Sequence, residues 1–462
     1  MESHCPFVSA QPLLIAAERE SMASELLMRS ARIVLSSLLI GFALPMAEAR
    51  ADVLTYDEVV SRSLMASYDV RLTEADVKLN KNDILRKRTD YLPNIVAHMN
   101  TEYLRDLTND QTQVAVVNNT IIPNTTRNQT SINLATSWNV IDFGARSKAV
   151  LAAKEHHMAS RFAVEQRRRD IKLAVIDKYT EALIAFKNVA NKAQVLSLRR
   201  GVYVCKARLF DAGNIAKTEV AEAALASADA QTALIHAQYD YVEKLKELSE
   251  YTHDIYNVNS TEVADYSDTT PQMFAKIVLD RTPDHKFYDR EIASKRAELK
   301  ALDRQRYPQI GLYSNFYMYG FNQYRILQSF KALRPVTISF GLSVNYPVFD
   351  QLKNYSERQR KKIEIERLLI ERDKKLWELE QSHTKTTQLA QMHGVDVENR
   401  TQLIAQHNVK AAILGRLADR NLLDRSQELS QKIEMAEQEL ELLKSKVQLQ
   451  AHARKLQAMA EG

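Results

Sequence analysis

Four stretches of the chain alternate apolar and polar positions with period two. Ile95, Ala97, Met99, Thr101 and Tyr103 alternate with Val96, His98, Asn100 and Glu102. Ile132, Leu134, Thr136, Trp138 and Val140 alternate with Asn133, Ala135, Ser137 and Asn139. Ile310, Leu312, Ser314, Phe316 and Met318 share one face, and Ile338, Phe340, Leu342, Val344 and Tyr346 alternate with Thr337, Ser339, Gly341, Ser343 and Asn345. This spacing predicts four strands of about ten residues. They form two hairpins, with long polar loops over residues 104–130 and 320–336.

Elsewhere the period is helical. Ile171, Val175, Tyr179, Ala182, Phe186, Val189, Ala193 and Leu196 step by three or four, 25 residues in seven steps. That is close to the 3.5-residue period of a coiled coil. Residues 145–200 hold no glycine or proline and predict a rod of about 84 Å. A second rod is expected over 354–414, with Ile365, Leu369, Leu376, Leu379 and Leu389 on its apolar face. Residues 221–237 carry eight alanines, which lets helices approach closely. A first helix is expected from a capping box, Thr55 with Glu58, to Leu92, where Pro93 stops it. Its counterpart is expected to open at Thr270-Pro271, with a kink at Pro283.

These elements occur twice. Leu64 and Leu279, Asp69 and Asp284, Pro93 and Pro308, and Ile95 and Ile310 all keep an offset of 215. Val140-Ile141-Asp142 matches Val348-Phe349-Asp350 at 208, and Gly213 matches Gly415 at 202. The expected organisation is a first repeat over 52–251, a linker over 252–270 and a second repeat over 271–462.

Composition fits. Glycine and proline number only 10 each in 462 residues, too few for a turn-rich enzyme fold or a propeller. Two cysteines exclude a disulfide framework. The net charge of +5 gives no reason to expect nucleic acid. Arg29 and Arg32 precede a twelve-residue apolar run, Ile33–Leu44, followed by Ala49-Arg50-Ala51. That is a signal peptide, 1–51, with cleavage before Asp52, and residues 1–27 read as an over-long start. Twelve apolar residues are too few to anchor in a bilayer.

Catalytic signatures are missing. The sequence has no H-E-x-x-H, C-x-x-C, P-loop or G-x-G-x-x-G, so no enzyme activity, metal or cofactor is expected. His156-His157 and Arg167-Arg168-Arg169 read as solvated helix faces, and Cys205 as a packing residue. Strands with one apolar face and interfacial aromatics suit an outer-membrane barrel. Four strands cannot close one alone, so several chains would contribute. Half-buried soluble hairpins on a periplasmic scaffold or adaptor remain the alternative.

The ordered phrases resemble the TolC-like outer-membrane efflux protein family over about 54–458. They are Tyr91-Leu92-Pro93-Asn94-Ile95, Trp138 to Arg146, Phe210 to Ile215 followed by Thr218-Glu219-Val220, Tyr346 to Asp350, and Gly415-Arg416-Leu417 before Leu422-Leu423-Asp424. The resemblance implies a mainly α fold with β. It is a tandem-repeat long-helix α-barrel with four transmembrane strands per chain, closing a twelve-stranded barrel as a homotrimer. It implies a passive duct in the outer membrane of a Gram-negative bacterium, embedded in lipid and extending into the periplasm. Its partners would be a periplasmic adaptor and an inner-membrane pump of the RND or ABC type, serving efflux or type I secretion. It assigns adaptor docking to the tip residues Ala212, Gly213, Asn214, Leu414, Gly415 and Arg416, an aperture constriction to Asn421 and Asp424, and tip closure to Thr218 and Glu219. Ala412 and Leu417 stand where the family's second-tip links would be, and neither side chain can make them.

Overall fold

A computed structural model describes residues 52–103, 114–117, 120–123, 128–257, 260–267, 277–322, 325–419 and 424–460. Residues 53–462 form one unit, and the expected signal peptide lies outside the described residues.

The first helical stretch is two helices, α1 (Tyr56–Ala66) and α2 (Tyr68–Thr89). They break at Ser67, whose hydroxyl accepts from the Val70 N–H at 3.3 Å and so caps α2. The expected capping box does not form. The Thr55 side chain caps nothing, and Glu58 pairs instead with Arg62, which also reaches Asp254 at 3.0 Å. The counterpart, α5 (Pro283–Arg304), starts at the proline expected to kink it. Pro283 is its first residue, where the missing N–H costs nothing, and the Thr282 hydroxyl accepts from His285 N at 3.4 Å. Thr270-Pro271 lies outside the described residues.

The long helices exceed expectation. α3 (Ala145–Asp211) and α7 (Lys353–Asp419) each have 67 residues, about 100 Å at 1.5 Å per residue. Gly201 does not stop α3. It marks its close approach to α8 (Arg425–Ala460), where a Cβ would lie 3.2 Å from Leu429 Cδ1. α8 and its counterpart α4 (Lys217–Thr252) each have 36 residues, and α2 and α5 each have 22. In the upper layer α2, α3, α5 and α7 pack side by side, and in the lower one α4, α3, α8 and α7. Most of the apolar stripe of α3 is buried as expected, except Ala193, which is exposed.

Two short strands, β1 (Asp52–Leu54) and β6 (Thr261–Val263), pair midway. Fully buried Tyr179 ties them to α3 by donating to the carbonyls of Leu54 at 3.0 Å and Ala264 at 2.7 Å. Its ring packs between Tyr56 and Tyr266, and Arg454 lies over the rings of Tyr56 and Tyr266 at 4.5 and 5.1 Å.

The four expected strands are β2 (Asn94–Tyr103), β5 (Asn128–Ile141), β7 (Gln309–Asn322) and β8 (Arg334–Asn345). They form one antiparallel sheet in the order β2-β5-β7-β8. The first loop holds a small hairpin, β3 (Val114–Val117) with β4 (Thr120–Pro123). The second holds a short helix, α6 (Ile326–Lys331), which the sequence pattern did not predict.

The arginine run is a solvated face at Arg167 and Arg168, which are exposed, but not at Arg169. Arg167 and Arg168 pair with Asp69 and Glu74, while Arg169 is buried against Asp284, itself only 1% exposed. Burial works against the Arg169 charge, but the Asp284 carboxylate holds its pKa above the ordinary arginine value. His156 also bridges the halves, its Nδ1 lying 2.7 Å from Glu291 Oε2. That hydrogen bond raises the His156 pKa above the ordinary value, against the opposing effect of burial.

Candidate functional site

Register stacks the apolar positions of the sheet into five rows on one face. They are Ile310 with Val344; Trp138, Leu312 and Leu342; Ile95, Thr136, Ser314 and Phe340; Ala97, Leu134, Phe316 and Ile338; and Met99, Ile132 and Met318. Phe340, in the middle row, is 75% exposed, and Ile95, Ile338, Leu342 and Val344 are also open. Among the described residues, none covers this face along those rows. From Ile310 to Met318 the belt runs about 26 Å along the strand, or about 20 Å of height at a tilt of about 40°, which lies within the apolar band of about 25 Å of a membrane barrel. The opposite face is polar. Its rows include His98, Asn133, Tyr317 and Thr337, then Val96, Ala135, Asn315 and Ser339. The Tyr313 ring covers Gly341, where a Cβ would collide with it.

Aromatic residues gather where strands meet helices. The Trp138 indole donates to the Tyr91 carbonyl at 2.8 Å, Arg146 lies over the Tyr91 ring at 4.6 Å, and Phe143 packs on Tyr307. Here both long helices are started the same way. The Asp142 carboxylate accepts from the N–H groups of Gly144 and Arg146 at 3.1 and 2.7 Å, and the Asp350 carboxylate from Asn354 N at 3.0 Å. Burial alone would raise the Asp142 pKa, but those N–H donors and the Arg146 guanidinium hold it below the ordinary value. The backbone turns left-handed at Phe143 and Gly144, and again 208 residues on at Gln351 and Leu352.

The first helical tip forms as expected. Ala212 ends α3, and Gly213 follows at φ 76°. Gly213 N donates to Phe210 O at 2.8 Å and Asn214 N to Leu209 O at 2.9 Å, a Schellman closure that needs a residue tolerant of positive φ. All three tip residues are exposed. Thr218 is exposed in the first turn of α4, and Glu219 pairs with Lys206 of α3 at 3.5 Å. The sequence pattern gave no sign of that link.

The second tip differs from expectation. Leu414, Gly415 and Arg416 do not form a turn. They lie in the last turns of α7, which runs on to Asp419. Because α7 and α8 begin 208 residues after α3 and α4, the offset stays at 208 through the tip, and the residue aligned with Gly213 is Asn421. Asn421 lies outside the described residues. Asp424 is placed, and it starts α8. Its carboxylate accepts from Ser426 N at 3.1 Å and from the Ser426 hydroxyl, while its carbonyl accepts from Gln427 N at 3.0 Å. The two tips are joined by a small apolar cluster of Val195, Val202, Ala223, Ile433 and Ala436.

Among the described residues no helix is long and apolar enough to cross a membrane, and no cluster of three or more metal-ligating side chains occurs.

Residues 59–252 match the family model described as "Outer membrane efflux protein". No curated protein sequence matches the chain. Among solved structures the fold is similar to that of CusC, described in terms of folding and transmembrane channel formation. That match has a TM-score of 0.73 at 14% identity and covers 88% of this chain and 92% of that one. The outer membrane channel CmeC of Campylobacter jejuni matches with a TM-score of 0.69 at 13% identity, covering 87% and 86%. The outer membrane protein VceC of Vibrio cholerae matches with 0.65 at 13% identity, covering 88% and 94%.

Proposed function

We propose that this chain, which belongs through residues 59–252 to the outer membrane efflux protein family, is the exit duct of a tripartite export assembly in the outer membrane of a Gram-negative bacterium. It conducts passively and catalyses nothing, and the energy comes from an inner-membrane pump of the RND or ABC type reached through a periplasmic adaptor.

One observation carries this: a sheet with an open apolar face and two outer strands sits at the end of helices about 100 Å long. An open strand edge invites pairing with another chain. In the antiparallel order, β8 of one copy and β2 of the next run in opposite directions, so added copies continue the pattern; three of them supply the twelve strands of the proposed barrel. The helices make the same demand. Leu72 and Leu79 on α2, and Ile363, Ile370 and Trp377 on α7, are exposed at seven-residue spacing on the two outer helices of the upper layer. A head-to-tail ring brings these stripes together. A soluble periplasmic scaffold would have to cover the five apolar rows with another protein, so it is disfavoured.

The tips face the pump. Ala212, Gly213 and Asn214 present one adaptor-docking surface at the first tip, and Leu414, Gly415 and Arg416 a second on the last turns of α7. Asn421 and Asp424 contribute the constriction, where a ring of three Asp424 carboxylates favours cations. Thr218 and Glu219 take part in closure, and Lys206 holds Glu219 until an opening movement releases it.

Insertion of the detergent-purified protein into a planar lipid bilayer tests the proposal. Discrete conductance steps from a trimeric species are expected. A water-soluble monomer without conductance would refute it.

A further inference from the structure

The unpredicted helix α6 lies on the apolar face of the sheet, at the end far from the long helices. Thr130 belongs to the same alternation as Ile132 and Leu134, and its hydroxyl meets that of Ser329 on α6 at 2.7 Å; both residues are fully buried. Thr101, beside Thr130 in the register, adds its hydroxyl at 3.4 Å. Gly320 completes the row. A Cβ there would run into the Ser329 carbonyl and lie 2.8 Å from Leu333 N, so helix and strand touch backbone to backbone. This row directly follows Met99, Ile132 and Met318, the last of the apolar belt.

The outer side of α6 is amphipathic. Ile326, Leu327 and Phe330 are exposed, Leu327 by 76%, and Val336 beyond the helix is exposed as well. Arg325, Lys331 and Arg334 flank them, all exposed. No acidic residue occurs between Arg325 and Arg334. A soluble loop gains nothing by turning three large apolar side chains outward inside a cationic ring. An element lying at the boundary of a bilayer gains from both features, because apolar groups enter the acyl region and cations meet phosphates.

We propose that α6 is an interfacial lipid anchor. Ile326, Leu327 and Phe330 enter the edge of the outer leaflet, and Arg325, Lys331 and Arg334 bind the phosphate groups of its phosphorylated glycolipid. The occupant is lipid because the surface adjoins the last row of the membrane-facing belt and carries charge opposite to a lipid phosphate. The inference rests on the outer-membrane assignment of the sheet.

The test separates the two. The chain has two tryptophans, Trp138 and Trp377. In a Trp138→Phe/Trp377→Phe background, a single reporter is placed by Leu327→Trp or by Phe340→Trp, and the trimer is reconstituted into vesicles of phosphatidylcholine brominated at shallow or deep acyl positions. The 327 reporter should lose more than half its fluorescence to shallow bromine and the 340 reporter more to deep bromine. Quenching at 340 with none at 327 overturns the anchor and leaves the membrane sheet standing. Quenching at neither overturns both. For the phosphate contact, parent and Arg325→Gln/Lys331→Gln/Arg334→Gln trimers are incubated with vesicles containing bisphosphorylated lipid A, and the retained lipid is counted by native mass spectrometry. At least a fivefold loss in the variant is expected. Equal retention overturns the cationic part.

Discussion

Arginine at position 340 tests the membrane face most sharply. Phe340 stands in the middle of five apolar rows and is 75% exposed within the chain. An arginine at the bilayer midplane of a barrel costs about 2–4 kcal/mol, and losing the phenylalanine's apolar contact costs about 1.5–3 more. The expected destabilisation of Phe340→Arg is therefore about 4–7 kcal/mol per chain, comparable with the whole stability of many domains. Ser339 is the control. It is the next residue on the same strand, but it shares the polar face with Asn315 and Ala135. Because successive side chains point to opposite faces, Ser339→Arg adds the same charge to the water-filled side and should cost under about 1 kcal/mol, as a surface substitution does. The assay is refolding into vesicles along a urea gradient, together with the amount of trimer in the outer-membrane fraction. Phe340→Arg should leave little trimer and Ser339→Arg nearly the parental amount. Equal damage from both would show that the fault is crowding of the strand rather than lipid exposure. Normal assembly of Phe340→Arg would refute a membrane-facing belt.

Other outcomes follow from the helices. Gly213→Val puts a β-branched residue at φ 76° and should cost at least about 1–2 kcal/mol locally, abolishing export while trimers still form; unchanged export would remove the tip from adaptor docking. Removing one partner of the buried Arg169–Asp284 pair, by Arg169→Met or Asp284→Leu, should cost about 3–5 kcal/mol, whereas the double variant should recover much of it. Recovery is read from thermal unfolding, and double-mutant additivity would count against a coupled pair. His156, with its pKa raised by Glu291, adds stability that is complete below its ordinary pKa of 6.5 and fades as pH rises through the raised folded value. The fall in Tm between pH 6 and pH 9 should therefore be smaller in His156→Gln, and an unchanged fall would discount the bridge.

The alternation at Ile132–Trp138 and Ile338–Val344 was legible because a strand with one apolar and one polar face must alternate, and little else produces that pattern over ten residues. The first long helix was legible from missing glycine and proline, yet too short, since Gly201 was free to stay helical where Leu429 needed the space. What local pattern could not supply was tertiary. Arg169 sits in a run of three arginines and looks solvated until Asp284 arrives from 115 residues away. Glycine was also a misleading marker at the second tip. Gly415 matches Gly213 by residue type, while the equal helix lengths align Gly213 with Asn421, another residue that accepts a left-handed turn. Ser67 broke the first helix without any glycine or proline, by capping the next one. Helix α6 has only six residues, too few for a helical period to register.

The central claim is a ring of three chains with its sheets in the membrane. Single-particle imaging of the protein in lipid nanodiscs addresses it directly. The expected particle has three-fold symmetry, a barrel of twelve strands inside the disc with Phe340 facing lipid, and a helical tube on the order of 100 Å outside it. Single chains free of the disc, or a sheet face covered by protein in place of lipid, would contradict it.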